Sequence, residues 1–558
     1  MTVTKRQGSA RPRQAGNLPG LGRFASLFPA LLLVIAVVSP VSGQDSSGEP
    51  SVMAAARHED DPRIQHVVAL DPRGDIRGVA PFLLTDTTRV TGTPDSSSYA
   101  PAAATGSATG AVRKHRVDAW GVRHSPFLAG MEVVAINLGT WALNHWLRDA
   151  DFTRVYPRTW WENISGGFEY DGNLFSTNVM DHPFHGSMYH NAGRANGLRF
   201  WSAVPYTIGG SFMWECCGET HPMALNDLIN TGLGGIALGE SVYRLSSAVL
   251  DNEATGAERF GRETAALVLN PIRGFNRVVS GHAFHSMPNP GDPDERTPGY
   301  FRMRLDGGYR GVGQNGSLQS PADGVFGALH VEYGDPFEGR RGGAFDVFEL
   351  DAQMNFADRN LLGTLAIRGN LLTRDLKRGE GTEHVWAVVQ GYEFDNTDAY
   401  QYGSQTVSAR LESRWPIGAS SELRTRLQGG VTILGTLDSE FEFQSRVPIN
   451  GSLRTFEYGP GLDGRIEVEA RAGNASISAR WRTTFMSTIN DTPVNGGDAT
   501  HWLHFGKVSG SVPFGARLAV GTDVTMFLRD SGFRLDGLAP TRLTVPELRV
   551  YGSWQLAD

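Results

Sequence analysis

The hydrophobic positions of this chain follow one period up to about residue 290 and a different period after it. Residues 120–285 contain apolar runs of helical length, each interrupted by polar or ionisable residues: 127–147, 198–214 and 228–250. The segment 258–279 is amphipathic and contains Pro271, which predicts a kink or a break there. The pattern predicts a helical domain over residues 120–285, with its helices buried against one another.

After about Gly299, every second residue in successive segments is apolar. The clearest examples are 348–356, 407–415, 423–433, 466–472, 475–481 and 548–556. We count about twelve such segments of around ten residues, separated by turns rich in Gly, Asp, Asn and Pro, as expected of tilted membrane strands. The chain is therefore predicted to be an α+β protein, with an antiparallel transmembrane β-barrel over residues 298–558. The alternative is a large soluble β-sandwich or solenoid, since alternation alone means that one face is buried.

The polar faces of these segments favour the barrel. They carry Arg and Glu on many successive strands, as expected of a lumen filled by ion pairs, and no helix separates the strands. The pattern does not decide whether the helical domain lies in the periplasm, beneath the barrel or partly in its lumen.

The N-terminus has the pattern of a secretory signal. Basic residues precede the apolar run 28–38, and the small residues Val41-Ser42-Gly43 follow it. Residues 1–43 are predicted to be a cleaved signal peptide, because the apolar run is shorter than the roughly 20 residues of a spanning helix. Residues 44–115 are poor in aromatic residues and are predicted to be a disordered linker. Together with the barrel, this predicts export to the outer membrane of a Gram-negative bacterium.

Charge and cysteine content exclude two classes of protein. The net charge is −8, and loss of the signal peptide with its five basic residues makes it about −13. Nucleic acid is excluded as a partner, because phosphate binding needs a basic surface. The two cysteines, Cys216 and Cys217, are adjacent. A disulfide framework is therefore excluded, and two small buried side chains are favoured over a vicinal redox switch.

Polar and glycine residues are densest between Trp160 and Ser246. The order of the motif is F-E-Y-D at 168–171, F-x-x-N at 175–178, H-P-F-H-G-S-M-Y at 182–189, A-G-R-A-N-G at 192–197, G-S-F-M-W-E at 210–215, N-D at 226–227, G-G-I-A-L-G-E at 234–240 and Y-R-L-S at 243–246. Over residues 130–250 this order resembles the bacterial family catalogued as domain of unknown function 3943. It departs from the family at Met223-Ala224, where a Pro-Ser pair is expected. The resemblance implies an outer-membrane setting and no activity.

The histidines of this block raise the question of a metal site. His182, His185 and His190 lie near Asp181, and a His pair at i and i+3 can share a metal. On one helix, however, His185 and His190 point about 140° apart. Pro183 indicates instead that Asp181 or His182 caps a helix, so no metal is predicted.

Hydrolysis is the second chemistry that we consider. The candidate catalytic residues are His185, Asp227, Glu215 and Ser187, and the candidate binding residues are His182, Tyr189, Arg194, Asn178, Glu240 and Arg244. No G-x-S-x-G or H-E-x-x-H motif occurs in the chain.

A structural role explains the same residues. Glu240 and Arg244 can pair along one helix, Glu215 and Arg194 can pair between helices, and Asn226 or Asp227 can cap the next helix. The Gly193–Gly197 and Gly235–Gly239 spacings would allow close helix contact.

The leading hypothesis is an outer-membrane barrel with a structural or transport role in the cell envelope. The alternative is an envelope enzyme that hydrolyses lipid or glycan through the helical block. A passive channel is disfavoured, because Arg and Glu side chains would crowd the lumen. The expected partners are outer-membrane lipids and, during biogenesis, the barrel assembly machinery; no cofactor is expected.

Overall fold

The computed structural model describes most of the chain after the predicted linker. The described residues are 120–170, 173–291, 296–313, 323–338, 342–377, 381–418, 420–443, 454–473, 475–489, 498–534 and 538–557. The predicted signal peptide and linker, residues 1–115, lie outside them.

The helical block precedes the barrel in the chain. Its described α-helices are α1 (Pro126–Ala142), α2 (Pro157–Gly166), α3 (His182–Ala195), α4 (Phe200–Cys217), α5 (Leu225–Ile229), α6 (Gly235–Val249), α7 (Gly256–Leu269) and α8 (Pro271–Val279). Asn270 and Pro271 separate α7 from α8, which confirms the predicted break, since proline supplies no N–H to continue the hydrogen-bond ladder.

Segments in the wider π conformation adjoin three of these helices. Leu143–Leu147 extends α1, Thr177–Asp181 leads into α3, and Asn230–Gly234 connects α5 to α6. Helix α3 therefore continues a preceding turn. Asp181 makes no side-chain capping hydrogen bond, so the predicted cap at Asp181 or His182 is wrong. A helix that continues from a preceding turn has no unsatisfied N–H groups for such a side chain to bind.

Twelve antiparallel strands close into a barrel among the described residues, which confirms the predicted fold class. A short parallel pair, β1 (Phe168–Glu169) and β2 (Met223–Ala224), lies in the helical block. The barrel strands are β3 (Phe301–Val312), β4 (Gly324–Tyr333), β5 (Phe348–Asn355), β6 (Leu362–Lys377), β7 (Glu383–Asn396), β8 (Gln401–Gly418), β9 (Ser421–Phe443), β10 (Arg454–Ala472), β11 (Ala475–Ser487), β12 (Ala499–Pro513), β13 (Leu518–Phe533) and β14 (Thr541–Ala557). Each pairs with its neighbours in sequence, and β14 pairs with β3.

Ion pairs cross the lumen of this barrel. Arg426 on β9 contacts Glu349 on β5 at 3.2 Å and Glu467 on β10 at 3.2 Å. Arg471 on β10 contacts Glu332 on β4 at 3.1 Å. Strands β4 and β5 do not neighbour β9 or β10, so the Arg426–Glu349 and Arg471–Glu332 pairs span the interior, whereas Arg426–Glu467 joins neighbouring strands. The predicted charged lumen is confirmed.

An apolar layer fills the lumen at the end that holds the end of β3 and the start of β14. It consists of inward-facing side chains near the strand ends: Val312, Tyr402, Leu437, Met486, Leu503, Phe527, Leu543 and Val545. Beneath it lies a cavity of about 280 Å³ lined mainly by Arg, Glu, Asp and Ser side chains. Side chains therefore fill the greater part of the interior, as expected of a barrel of this size.

The helical block packs against the outer wall of the barrel. Glu393 on β7 faces the lumen, where it pairs with Arg465 at 2.6 Å, so its neighbours Tyr392 and Phe394 point outward. Tyr392 is nevertheless fully buried, because the helical block covers it, and its hydroxyl donates to the carbonyl of Val179 at 2.6 Å. Phe394 stacks on Phe175 at 5.8 Å. The block therefore does not lie in the lumen of the barrel.

Helix α6 is the innermost helix against this wall, and nearly all of its residues are buried. Glycines let the other helices approach closely. A Cβ on Gly235 would lie 2.5 Å from Gly186 Cα, and one on Gly239 would lie 2.8 Å from His190 Cβ. The predicted close contact through Gly235 and Gly239 is confirmed.

Helix α1 lies on the opposite side of the block. Together with its π extension it forms a helix of 22 residues, Pro126–Leu147, which is long and apolar enough to cross a membrane. It leaves large apolar side chains exposed, among them Phe127, Leu138, Trp146 and Leu147.

The cysteines differ from the expectation. Cys216 and Cys217 close α4 and are joined to each other by a disulfide bond. Two adjacent residues have their Cα atoms only 3.8 Å apart, so the bond needs no other part of the chain.

Candidate functional site

The polar residues of the motif gather in two buried clusters within the helical block. We call the first the polar centre; it contains His182, Glu215, Asp227 and Thr231. We call the second the charged network; it contains His190, Arg194, Glu240, Arg244 and Asp346.

Three separate segments supply the ionisable residues of the polar centre, and Thr231 comes from the π segment Asn230–Gly234. His182 opens α3, Glu215 lies near the end of α4, and Asp227 lies in α5. One ligand-type atom from each lies within 4.8 Å of the others. His182 Nε2 is 3.4 Å from Asp227 Oδ2, and His182 Nδ1 is 3.2 Å from Thr231 Oγ1.

Backbone contacts fix the two carboxylates of the polar centre. Glu215 Oε2 accepts a hydrogen bond from the N–H of Ala224 at 2.9 Å, and the β1–β2 pair holds Ala224 in place. Asp227 Oδ1 accepts from Asn226 Nδ2 at 2.7 Å. Glu215 is 1% exposed and Asp227 is 2% exposed. Asn226 and Asp227 lie inside α5 and make no cap there, so the predicted cap is wrong.

The polar centre is tied to the barrel wall through Tyr458. The tyrosine hydroxyl, which points outward from β10, accepts from Asn178 Nδ2 at 2.5 Å and from Asn226 Nδ2 at 3.1 Å. Gln405 on β8 donates to Asn230 Oδ1 at 3.3 Å. The centre therefore lies between the helices and the outer face of the sheet.

His185 lies beside the polar centre and faces helix α1. Its Nε2 is 3.1 Å from Thr140 Oγ1 and 3.2 Å from the Tyr189 hydroxyl, which donates to Asn137 Oδ1 at 2.5 Å. Because the ring is turned toward these groups, its described hydrogen bonds do not include Glu215 or Asp227.

Ser187 is separated from the candidate acids and bases. Its hydroxyl donates to the carbonyl of Phe184 at 2.6 Å, within its own helix. The candidate catalytic residues thus divide into Glu215 and Asp227 in the polar centre, His185 against α1, and Ser187 on a backbone carbonyl.

Glu240 is at the middle of the charged network and is 0% exposed. Its carboxylate contacts Arg194 at 2.8 Å, Arg244 at 2.9 Å and His190 at 3.1 Å. The pairing of Glu240 with Arg244 is confirmed. The predicted pairing of Glu215 with Arg194 is wrong, since Arg194 points toward α6 and binds Glu240.

Arg244 joins the charged network to the barrel. It contacts Asp346 at 3.1 Å and donates to the carbonyl of Ala344 at 2.7 Å, both in the connection between β4 and β5. Sequence reasoning missed Asp346, Thr231 and Tyr458. Thr231 lies between the N-D and G-G-I-A-L-G-E elements of the motif, whereas the outward tyrosine and the loop aspartate lie outside the motif and carry no local signal.

Residues 167–272 match the family model described as Domain of unknown function (DUF3943). The match confirms the resemblance seen in the motif. It contains the whole polar centre and the whole charged network except Asp346. The barrel partners Asp346 and Tyr458 lie outside the match. None of the curated proteins compared with the chain matches it significantly.

Similar solved structures include two porins and a transporter. The NanC porin is 13% identical, with a TM-score of 0.23, over 45% of this chain and 98% of the porin. The KdgM porin is 9% identical, with a TM-score of 0.20, over 45% and 98%. The Pseudomonas putida toluene transporter TodX is 8% identical, with a TM-score of 0.20, over 48% and 92%. Scores this low carry no argument, and the barrel rests on its own strand pairing.

Proposed function

We propose that this protein is an outer-membrane β-barrel with a structural role in the cell envelope, holding its helical block against the lipid-facing wall. The observation that carries the proposal is the apolar exterior shared by the barrel and the block. Lipid is the partner that this exterior fits, and the barrel assembly machinery is the expected partner during biogenesis.

The strands that the helices leave uncovered present apolar side chains outward. The exposed members are Leu427, Val431, Leu462, Ile466, Ile477, Trp481, Trp502, Val508, Val520, Val524, Leu548 and Val550. They alternate with the charged residues of the lumen, which is the pattern of a membrane barrel. A soluble barrel of this area would leave an apolar surface far larger than soluble monomers tolerate.

The connections between strands support an outer-membrane orientation. At the end that holds the start of β3 and the end of β14, only two residues separate β8 from β9 (419–420) and β10 from β11 (473–474), and the longer connection 334–347 joins β4 to β5. At the opposite end of the barrel, the connections between strands include residues 313–323 and 444–453. Outer-membrane barrels have short periplasmic turns and longer external loops, so the chain termini of the barrel belong to the periplasmic side.

The helical block continues the apolar surface of the barrel. Helix α1 and its extension have the length of about 33 Å that a spanning helix requires. Glu132, the single acidic residue of this stretch, accepts from Asn276 on α8 at 3.0 Å. Trp146 and Trp201 are more than half exposed. A charge turned inward and aromatic residues turned outward are typical of a helix that faces lipid.

A structural role is favoured over solute transport because the lumen is filled. The apolar layer around Tyr402 and Phe527 and the ion pairs of Arg426 and Arg471 occupy the interior. Opening a path through the lumen would separate these buried ion pairs and leave uncompensated charges. We expect the purified protein to give no steady conductance in a planar bilayer.

The first experiment asks whether both parts are in lipid. Purified protein from outer-membrane fractions should migrate faster on a gel before boiling than after it. In vesicles of brominated phospholipid, the fluorescence of exposed tryptophans should be quenched. Trp146→Phe should remove part of the fluorescence that the brominated lipid quenches. Trp120 is 2% exposed, so Trp120→Phe should remove part of the fluorescence that is not quenched. Recovery in the soluble periplasm with no gel shift would overturn the proposal.

The second candidate is an envelope enzyme acting on lipid or glycan through His185, Asp227 and Glu215. The proximity of Asp227 and Glu215 to His182 favours it. Hydrolysis of outer-membrane phospholipid by the intact protein, lost in Asp227→Asn with the gel shift unchanged, would establish it in place of the structural role.

A further inference from the structure

We propose that His182, Glu215 and Asp227 form a binding site for a divalent transition-metal ion of the zinc type. The site goes beyond the proposed structural role, because a barrel needs no such ion. It also goes against the sequence-based prediction, which considered a different set of ligands on one helix.

The ligand set comes from three chain segments and so avoids the difficulty raised by a single helix. The π segment Thr177–Asp181 precedes His182, and the π segment Asn230–Gly234 follows α5. Each inserts a wider turn that changes the direction of the side chains next to it. The result is one imidazole nitrogen and two carboxylate oxygens within 4.8 Å of one another.

The distance between His182 Nε2 and Asp227 Oδ2 suits two ligands of one ion. At 3.4 Å it is longer than a charge-assisted hydrogen bond, which is about 2.7–2.9 Å. Two ligand atoms about 2.1 Å from a tetrahedral zinc ion lie roughly 3.4 Å apart. Zinc sites with three protein ligands keep a fourth position for water or another ligand.

The neighbouring groups orient the ligands in the way that metal sites require. His182 Nδ1 lies 3.2 Å from Thr231 Oγ1, which leaves Nε2 directed at the carboxylates. Asn226 and the N–H of Ala224 hold the carboxylates of Asp227 and Glu215. Hydrogen bonds of this kind to the ring nitrogen and carboxylates fix the first ligands of a metal.

Charge and burial favour a cation in this position. Glu215 and Asp227 are 1% and 2% exposed, and a carboxylate this buried is costly to hold in its ionised form, so a divalent ion bound by both would stabilise that form. A divalent ion with a neutral imidazole would balance both. The His182 side chain is 13% exposed and is the least buried of the three proposed ligands.

The choice of ion follows from the ligands. An imidazole nitrogen with two carboxylate oxygens suits zinc and its neighbours in the first transition row, whereas magnesium and calcium prefer oxygen alone. Co²⁺ is therefore the probe, because its visible absorption reports a low coordination number, and Zn²⁺ is the competitor.

The test uses the full-length protein, folded in detergent and stripped with a chelator. Co²⁺ should give a saturable visible spectrum at on the order of one ion per chain, and Zn²⁺ should abolish it. His182→Gln and Asp227→Asn should weaken binding by at least about tenfold. The matched control is His185→Gln, one helical turn away and turned toward Thr140, which should bind as the wild type does.

X-ray absorption of the Zn²⁺-loaded wild type provides a measurement that needs no variant to fold. One nitrogen and at least two oxygen ligands are expected. A coordination shell that contains sulfur or several imidazoles would overturn the site. Folded wild-type protein that binds neither Co²⁺ nor Zn²⁺ would also overturn it. So would a His185→Gln variant that loses as much metal affinity as His182→Gln. The gel shift on the same samples separates failure of the metal site from failure of the barrel.

Discussion

The lumen of the barrel and the helical block hold their buried charges in different ways. In the lumen, Arg426 contacts three carboxylates from three strands, those of Glu349, Glu412 and Glu467. In the block, Glu240 is the one carboxylate shared by Arg194 and His190 among their described ion pairs. Arg426 in the lumen therefore has redundant partners, whereas Arg194 and His190 in the block depend on one carboxylate.

This difference indicates which substitutions each region tolerates. A redundant network lets a cation keep a partner when one carboxylate is lost, whereas a group with a single partner becomes an uncompensated buried charge. We therefore expect damaging substitutions in the helical block and its interface with the wall, and tolerated ones in the lumen.

The largest effect is expected from Glu240→Gln. It leaves Arg194 buried without the one carboxylate of its described ion pairs, while Arg244 keeps Asp346, and the expected cost is about 3–5 kcal/mol of folding free energy. Limited proteolysis should cut the helical block while the barrel keeps its heat-modifiable mobility. The control is Glu258→Gln, whose partly exposed pair with Arg262 should matter by less than about 1 kcal/mol. Equal protease resistance of the two variants would contradict the comparison.

Gly186→Ala tests close packing of the block with no change of charge. A Cβ on Gly186 would lie 1.9 Å from the carbonyl oxygen of Thr231, so α3 and the segment before α6 must separate. We expect a loss of about 3 kcal/mol, measured as denaturant-dependent tryptophan fluorescence. Gly139→Ala in α1, where a Cβ meets nothing within 4 Å, should be neutral or slightly stabilising. A stable Gly186→Ala protein would mean that the helices are less closely packed.

Tyr458→Phe tests the attachment of the block to the wall. The substitution removes the hydroxyl that accepts from Asn178 and Asn226 and keeps the ring, so about 2 kcal/mol should be lost at the interface. Hydrogen exchange should increase in α5 and in the segment before α3. Tyr309→Phe on β3, whose side chain is 56% exposed on the same outer face, is the control and should change neither.

The barrel could be predicted because its rule is local. Alternation in segments such as 407–415 and 475–481 gives the strands, and Arg or Glu on the second face gives the lumen. The alternation of apolar and polar residues does not reveal the interface between the barrel and the helical block. Tyr392 and Tyr458 occupy outward positions, where an aromatic residue is expected whether it meets lipid or a helix, so no sequence pattern marks them.

The sequence identified the residues of the candidate site, but it did not predict which of them lie next to one another. The motif identified His182, Glu215 and Asp227 as polar residues of a helical block. A regular helical period from residue 177 onward would give wrong directions, because the π segments at 177–181 and 230–234 alter them. That also explains why the predicted caps and the Glu215–Arg194 pair are wrong, whereas Glu240 and Arg244, within one regular helix, are correctly paired.

The smallest effect is expected from Glu412→Gln in the lumen, and it distinguishes redundancy from mere burial. Glu412 is as buried as many residues of the block, with 2% exposure, and its carboxylate is 3.0 Å from Arg426. Since Arg426 keeps Glu349 and Glu467, we expect a loss of about 1 kcal/mol or less in the thermal transition of the barrel. Adding Glu467→Gln should then cost more than the two single changes together, because the last partners become essential. A single change as damaging as Glu240→Gln would show that burial, and not the number of partners, sets the vulnerability of both regions.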